Sequence, residues 1–423
     1  MKIRNFLKSG HTPTLLASLM YFDVSFMVWV LLGPLTPFIS EQLQLNPAQK
    51  GLLTAIPLLG GSLFRPVLGI LSDRIGGRRA GLLGLALTLI PLVLGWKFAH
   101  TLGQFYFLGL LLGVAGASFA VALPLAGAWY PPEHQGLAMG ITGAGNSGTL
   151  IATLFAPRLA QAFGYRNTFG LAMLPVALTL LIFAAAARNS PHRPPAPAWS
   201  DYRGVLREAD TGWFCFMYGL TFGGFVGLAS FLTVFFRDQF HVSKLQAGDF
   251  TTLVVVAGSF LRPVGGYLAD RIGGYRLLLM VLAGIGTSLA ATGLSSSLPF
   301  VVALLFVTMG MLGMGNGAVF QLVPQRFPTR VGIVTGLVGA AGGLGGFLLP
   351  SALGVIKLKT STFGAGLLIC AGAYFIGAAM LLQLGSLWNG LWREDSVQRA
   401  GIFCYRRLFR GFAQKASDSS QPS

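Results

Sequence analysis

The sequence predicts an all-α membrane protein of twelve transmembrane helices in two six-helix bundles, with both termini cytoplasmic. Three observations predict it: composition, an internal repeat and one break in the apolar pattern. Of 423 residues, 53% are hydrophobic and only 10% are charged, where a soluble chain of this size carries about a quarter. The apolar residues come in long runs nearly free of charge, the mark of spanning rather than core helices. Residues 62–79 (SLFRPVLGILSDRIGGRR) recur as residues 259–276 (SFLRPVGGYLADRIGGYR) at an offset of 197, with 12 of 18 positions identical. Between the copies, from Arg188, prolines and charges replace apolar residues, which reads as a linker.

Taken in order, spans are predicted at about 15–39, 51–71, 80–96, 103–124, 136–157 and 168–187. After the linker they resume at 213–236, 248–270, 277–294, 301–323, 331–356 and 363–384. The resulting division is an N-terminal bundle at 1–190, a cytoplasmic linker at 191–210, a C-terminal bundle at 211–390 and a basic, irregular tail at 391–423. The first apolar run is too long for the core of a signal peptide and reads as a retained span.

The formal charge of +17 raises nucleic acid and anionic lipid as partners, and distribution decides between them. Twenty of the 30 Lys and Arg fall in segments assigned to the cytoplasmic side, eight on the other side, and Arg65 and Arg262 inside spans. That asymmetry follows the positive-inside rule. Basic residues are not interleaved with aromatics on a soluble face, so membrane lipids are expected partners and nucleic acid is not. Cys215, Cys370 and Cys404 are scattered without a CxxC pair, so neither a disulfide framework nor a metal site is indicated. No nucleophile–base spacing appears either; an enzyme is not expected, nor a cofactor.

Arg65 and Arg262 each precede a proline, eight residues before an Asp-Arg-Ile-Gly-Gly turn. At the helical rise this places each guanidinium ~12 Å inward from the turn, a depth where a cation is costly and by default functional. Asp23 is the one acid well inside a predicted span, with Asp249 near an end. One carboxylate does not neutralise two arginines, so an exogenous anion is wanted. A guanidinium presents paired N–H donors suited to two oxygens of a small oxyanion. Gly61, Arg65 and Gly69 share a helical face, as do Gly258, Arg262 and Gly266, which reads as room left beside each guanidinium. Asp23 is read two ways: a carrier of a coupling proton, or an internal pair.

Two more stretches recur at an offset of 196. The fifth span holds Gly136-x3-Gly140-x2-Gly143-Ala144-Gly145-Asn146-Ser147-Gly148, and the eleventh Gly332-x3-Gly336-x2-Gly339-Ala340-Ala341-Gly342-Gly343. Glycines at i, i+4 and i+7 make a smooth face for close approach of a backbone or small ligand. The match of 143–148 to a dinucleotide fingerprint is spurious, since no strand precedes it.

The turn Gly69-x3-Asp73-Arg74-x-Gly76-Gly77-x-Arg79, with its second copy at 266–276, resembles the loop signature of the major facilitator superfamily. The paired glycine stretches are similar to the signature of its nitrate/nitrite porter (NarK-type) family. The neighbourhoods of Phe22–Trp29, Gly116–Ala120, Gly315–Gln321 and Tyr218–Phe225 agree with that family, across residues 15–385. The resemblance implies the major facilitator fold in the cell (inner) membrane, and a central site for nitrate or nitrite between the halves. There Arg65 and Arg262 clamp the anion, Phe119, Phe320 and Phe222 pack on its flat face, and Tyr218 and Asn146 donate hydrogen bonds. Gly143 and Gly339 line the site. It implies gating by Asp73, Arg74, Arg79, Asp270 and Arg271; transport is expected as proton symport through Asp23 or as nitrate/nitrite exchange, by a monomer. Readings left open are a porter for an organic phosphate or carboxylate, and a nitrate-binding sensor. One departure stands out: glycines around Gly342 replace the counterpart of Asn146.

Overall fold

In the computed structural model, the described residues are 6, 9–191, 196–328 and 330–402. Among them the chain is helical, without strands. The first half comprises α1 (Thr12–Trp29), α2 (Leu32–Leu43), α3 (Pro47–Ile75), α4 (Gly77–Lys97), α5 (Leu102–Gly116), α6 (Phe119–Gly127), α7 (Pro132–Gly143), a 3-10 turn (Ala144–Ser147), α8 (Gly148–Phe163) and α9 (Tyr165–Ala186). After α10 (Trp199–Arg207), the second half comprises α11 (Ala209–Phe240), α12 (Lys244–Ile272), α13 (Gly274–Leu294), α14 (Leu298–Arg326), α15 (Val331–Thr360), α16 (Gly364–Leu391) and α17 (Glu394–Ala400).

Eleven helical stretches among the described residues are long and apolar enough to cross a membrane. The twelfth crossing is α7, the 3-10 turn and α8, which together cover the predicted fifth span in two shorter pieces. The first crossing is likewise broken between α1 and α2. Pro34 explains that break: it lacks an N–H and its ring crowds the carbonyl of Val30, where α1 ends.

Pairing repeats between the halves as the duplicated sequence does. In the first half α3 packs on α5 and α4 on α9; in the second α12 packs on α14 and α13 on α16. Across the halves, α3 lies along α15 and α11 meets α2 and α3. The two ends of this interface differ. At the end away from the Asp-Arg turns the halves touch backbone to backbone, with Gly33 against Ser230 and Gly51 against Pro350 and Gly354. Toward the turns, Gly343 still meets Leu58 and Ser62, and Gly339 meets Phe119 and Arg65. One and two turns further, Gly336 and Gly332 on the same face meet nothing. The interface is open at these two positions.

Two predicted irregular segments are partly helical. α10 lies within the predicted linker, and α17 begins the predicted tail. Both cover an Asp-Arg turn: Tyr202 of α10 donates to Asp73 at 2.9 Å, and Arg276 donates to the carbonyl of Gly401 just after α17 at 3.0 Å. Pro194 and Pro195 of the linker, Cys404, and the tail arginines Arg406, Arg407 and Arg410 lie outside the described residues.

Candidate functional site

Arg65 sits midway along α3, 1% exposed. Its Nε donates to the carbonyl of Gly116 at 3.0 Å and one terminal N–H to that of Gly339, so both halves hold it. The other terminal nitrogen is buried without a partner. Three rings surround the guanidinium carbon: Trp29 at 4.9 Å, Phe222 at 5.1 Å and Phe119 at 5.5 Å. Arg262, on α12, lies 6.0 Å from the same Phe119 ring and 5.8 Å from Phe320. One of its terminal nitrogens is also buried and unpartnered. Among the described residues neither guanidinium pairs with a carboxylate; the ion pairs lie elsewhere.

The two arginines therefore share one aromatic plate. Phe119 stacks on Phe320 at 6.1 Å, and Tyr218 stands edge-on to Phe320 at 4.8 Å. Tyr218 lies parallel to Phe222, 5.0 Å away with planes 5° apart, as expected for positions i and i+4 of one helix. The Tyr218 hydroxyl lies within the field of both guanidiniums, that of Arg262 the stronger. Asn146 lies in the 3-10 turn, buried, with its amide oxygen unpartnered. Cations over ring faces gain roughly 0.5–2 kcal/mol each. That does not replace the hydrogen bonds missing at the unpartnered edges of both guanidiniums, since a buried charged donor left unpaired costs several times as much.

Gly342 accounts for the departure noted in the eleventh span. A Cβ there would lie 2.7 Å from the Tyr218 ring and 2.8 Å from Phe222, inside van der Waals contact. The second half places a stacked aromatic pair where the first places Asn146.

The structure corrects half of one expectation: Gly69 and Gly266 leave room on their helix faces, but Gly61 and Gly258 do not. A Cβ at Gly61 would meet the Trp29 indole at 2.6 Å, and one at Gly258 would meet Phe225 at 2.5 Å. Aromatic rings occupy that space. Trp29 is the site residue that sequence reasoning missed; its indole N–H donates to the Pro57 carbonyl at 2.6 Å, which fixes the ring over Arg65. The available signal was a tryptophan deep in a span, far from the interfacial belts where membrane tryptophans gather. Asn316 was missed as well. It is 1% exposed with both amide atoms unpartnered, one helical turn before Phe320.

The other predicted positions fall in three places. Gly339 lies against Phe119 and Arg65, and Gly143 faces open space. Asp73 is bonded by Tyr202, and Arg74 lies 5.1 Å over the Trp199 ring, so α10 engages both. Arg79 is exposed; its neighbour Arg78 makes the turn's bonds to Asn189 and Ala184 instead. Arg271 lies over Tyr267 of its own helix at 4.6 Å, and Asp270 stands exposed beside it. Asp23 accepts a hydrogen bond from Ser147 at 2.6 Å. Among the described residues no group of three metal-ligating side chains occurs.

The family model of the Major Facilitator Superfamily matches residues 17–350. This chain belongs to that superfamily. Within it, a probable nitrate/nitrite transporter NarK2 of Mycobacterium tuberculosis is 37% identical over 352 residues, 82% of this chain and 89% of that protein. A nitrite extrusion protein of Bacillus subtilis is 33% identical, covering 86% and 91%. A probable nitrate/nitrite antiporter NarK1 of Thermus thermophilus is 32% identical, covering 79% and 82%. These relatives place the chain in the nitrate/nitrite porter branch of the superfamily, a multi-pass membrane protein. The fold agrees: a bacterial homologue of the lysosomal transporter Spinster superposes with a TM-score of 0.70 at 17% identity, over 87% of this chain and 95% of that one.

Proposed function

We propose that this major facilitator carries nitrate, nitrite or both across the cell membrane by alternating access, with the anion held between Arg65 and Arg262. The observation that carries the proposal is the pair of acid-free guanidiniums flanking Phe119, each with a buried N–H unpartnered. A planar oxyanion on the shared plate would accept from both edges, each charge-assisted bond contributing roughly 1.5–3 kcal/mol. Without it, the two cations repel by on the order of 1–2 kcal/mol at an effective dielectric of about 20. Anion binding thus draws the halves together, and its release lets them part. Tyr218 and Asn146 complete the contacts, and the ring faces around the guanidiniums suit a flat anion.

The end bearing the Asp-Arg turns is the cytoplasmic one in this reading, on the strength of its basic excess. Cargo leaves there beside Gly332 and Gly336, where the interface is open. Return requires that opening to close and the opposite end to part. Three ion pairs span the halves at that opposite end: Lys50–Asp238 at 2.7 Å, Arg158–Asp249 at 2.8 Å, and Lys244–Glu41. They must break on each cycle. Coupling is by nitrate/nitrite exchange or by proton symport, which uptake with and without an imposed pH gradient separates.

The reading is tested by displacement of labelled nitrate from purified protein by nitrite, chloride, glycerol phosphate and a dicarboxylate. Nitrite is expected to compete near equally and the organic anions not at all. Efficient competition by glycerol phosphate would reassign the substrate, and binding without any flux in proteoliposomes would make the protein a sensor.

A further inference from the structure

Asp23 lies on α1 beside the 3-10 turn that interrupts the fifth crossing. Its carboxylate accepts from the Ser147 hydroxyl at 2.6 Å. The turn sits flush on α1 there: a Cβ at Gly145 would meet the Phe22 ring and the Asp23 nitrogen, and one at Gly148 would meet the Asp23 carbonyl. Asn146 occupies the middle of the same turn. On one side of the turn, α8 is fixed to the other half, with Thr252 donating to Thr153 at 2.8 Å and Gly248 seated on Pro157. On the other side, Gly140 and Gly143 of α7 face open space. The turn therefore joins a leg tied to the other half to one that packs mainly on α1 and α6 of its own half.

We infer that Asp23 and Ser147 are positioning residues: they pin this turn to α1 so that the Asn146 amide stays aimed at the anion while α7 moves. The inference rests on the transport reading, with Asp23 acting through Asn146 rather than on the cargo. A 3-10 segment has weaker internal hydrogen bonding than an α-helix and suits a hinge. An unpinned hinge would let Asn146 rotate away, since its oxygen has no other partner in the structure. The carboxylate holds a side chain within the turn, and the close approach of Gly148 to the Asp23 backbone seats the start of α8 on α1.

The test is nitrate uptake into proteoliposomes, read as KM and maximal rate. Asp23→Ala and Ser147→Ala are expected to raise KM about tenfold, the effect of losing a contact worth one good hydrogen bond, with the maximal rate within about twofold. Asp23→Asn, which keeps an acceptor oxygen, is expected to recover most of the loss. Asp23→Ala combined with Asn146→Ala is expected to be no worse than Asn146→Ala alone, a dependence that a general loss of stability would not produce. Three results would overturn the inference: an unchanged KM in Asp23→Ala, full additivity with Asn146→Ala, or an Asp23→Asn that transports but loses its response to a pH gradient. Arg65→Lys serves as the control for the transport reading. If it is inactive while Asp23→Ala is normal, only the hinge assignment falls.

Discussion

The two ends of the molecule are held by opposite means. Away from the Asp-Arg turns, the halves grip each other directly, through glycine-to-backbone contacts and three cross-half ion pairs. The pairs Lys50–Asp238 and Lys244–Glu41 are reciprocal: each acid at the end of one half's first crossing binds the lysine opening the other half's second. At the turn end, the two halves' Asp-Arg turns are each covered by a segment outside the repeat, α10 over the first and the α17 region over the second. One end is locked directly across the interface; at the other the halves are open beside Gly332 and Gly336, and α10 reaches from Asp73 of the first half to Arg330 of the second. This is what a rocking transporter needs in one of its two states. Its closed end is built from contacts that come apart as units, and its open end from surfaces already smooth enough to meet.

The largest effect is expected where backbone contact closes the sealed end. Gly51→Leu would drive a side chain into the Pro350 carbonyl and Gly354, and overpacking of this kind costs roughly 1–3 kcal/mol or more. It should hold the sealed end apart and cut uptake about a hundredfold, to be read in proteoliposomes alongside cysteine accessibility at Ser40. Next is the ion-pair lock. Lys50→Glu, facing Asp238, replaces attraction by repulsion between two partly buried groups. Uptake should fall about tenfold, and Asp238→Lys in the same chain should restore much of it; the recovery distinguishes a lock from a folding defect. At the open end, Gly336→Val adds bulk to a face that meets nothing in this state. Thermal stability should shift by less than about 0.5 kcal/mol, while uptake drops because that face must close.

The smallest effect concerns α10 over Asp73. Burial and the adjacent Asp73 carboxylate push the Tyr202 phenol up to about 12. A raised phenol pKa means the donor form is favoured in the folded protein, so its contribution is complete below pH ~10 and is lost only as pH rises through about 12. Tyr202→Phe should therefore slow uptake by no more than about threefold, by the same factor from pH 6 to pH 9. A difference that grows within that window would point to Asp73 itself.

Much of this was legible in the sequence because duplication wrote it twice. The offset of 197 places Arg65 and Arg262 at equivalent depths, and the structure gathers both around Phe119 with Tyr218, Phe222 and Phe320. Trp29 was not legible as a site residue, because its place over Arg65 depends on a hydrogen bond to Pro57 and on the absence of side chains at Gly61 and Gly116. The glycines were read as space for a ligand, and several are space for a ring. The cross-half ion pairs could not be read at all: Glu41 and Lys244 are separated by 203 positions, and only the closed end brings them together. Helices α10 and α17 escaped notice because each is short, polar and stabilised mainly by what it covers.

The most direct measurement is nitrate uptake by proteoliposomes carrying Arg65→Lys or Arg262→Lys. A lysine keeps the charge but not the planar pair of donors on either side of the shared ring. The account predicts that both variants fold, span the membrane and transport at under about 1% of the parent rate, as expected for losing two charge-assisted bonds. Uptake near the parent rate in either variant would contradict it.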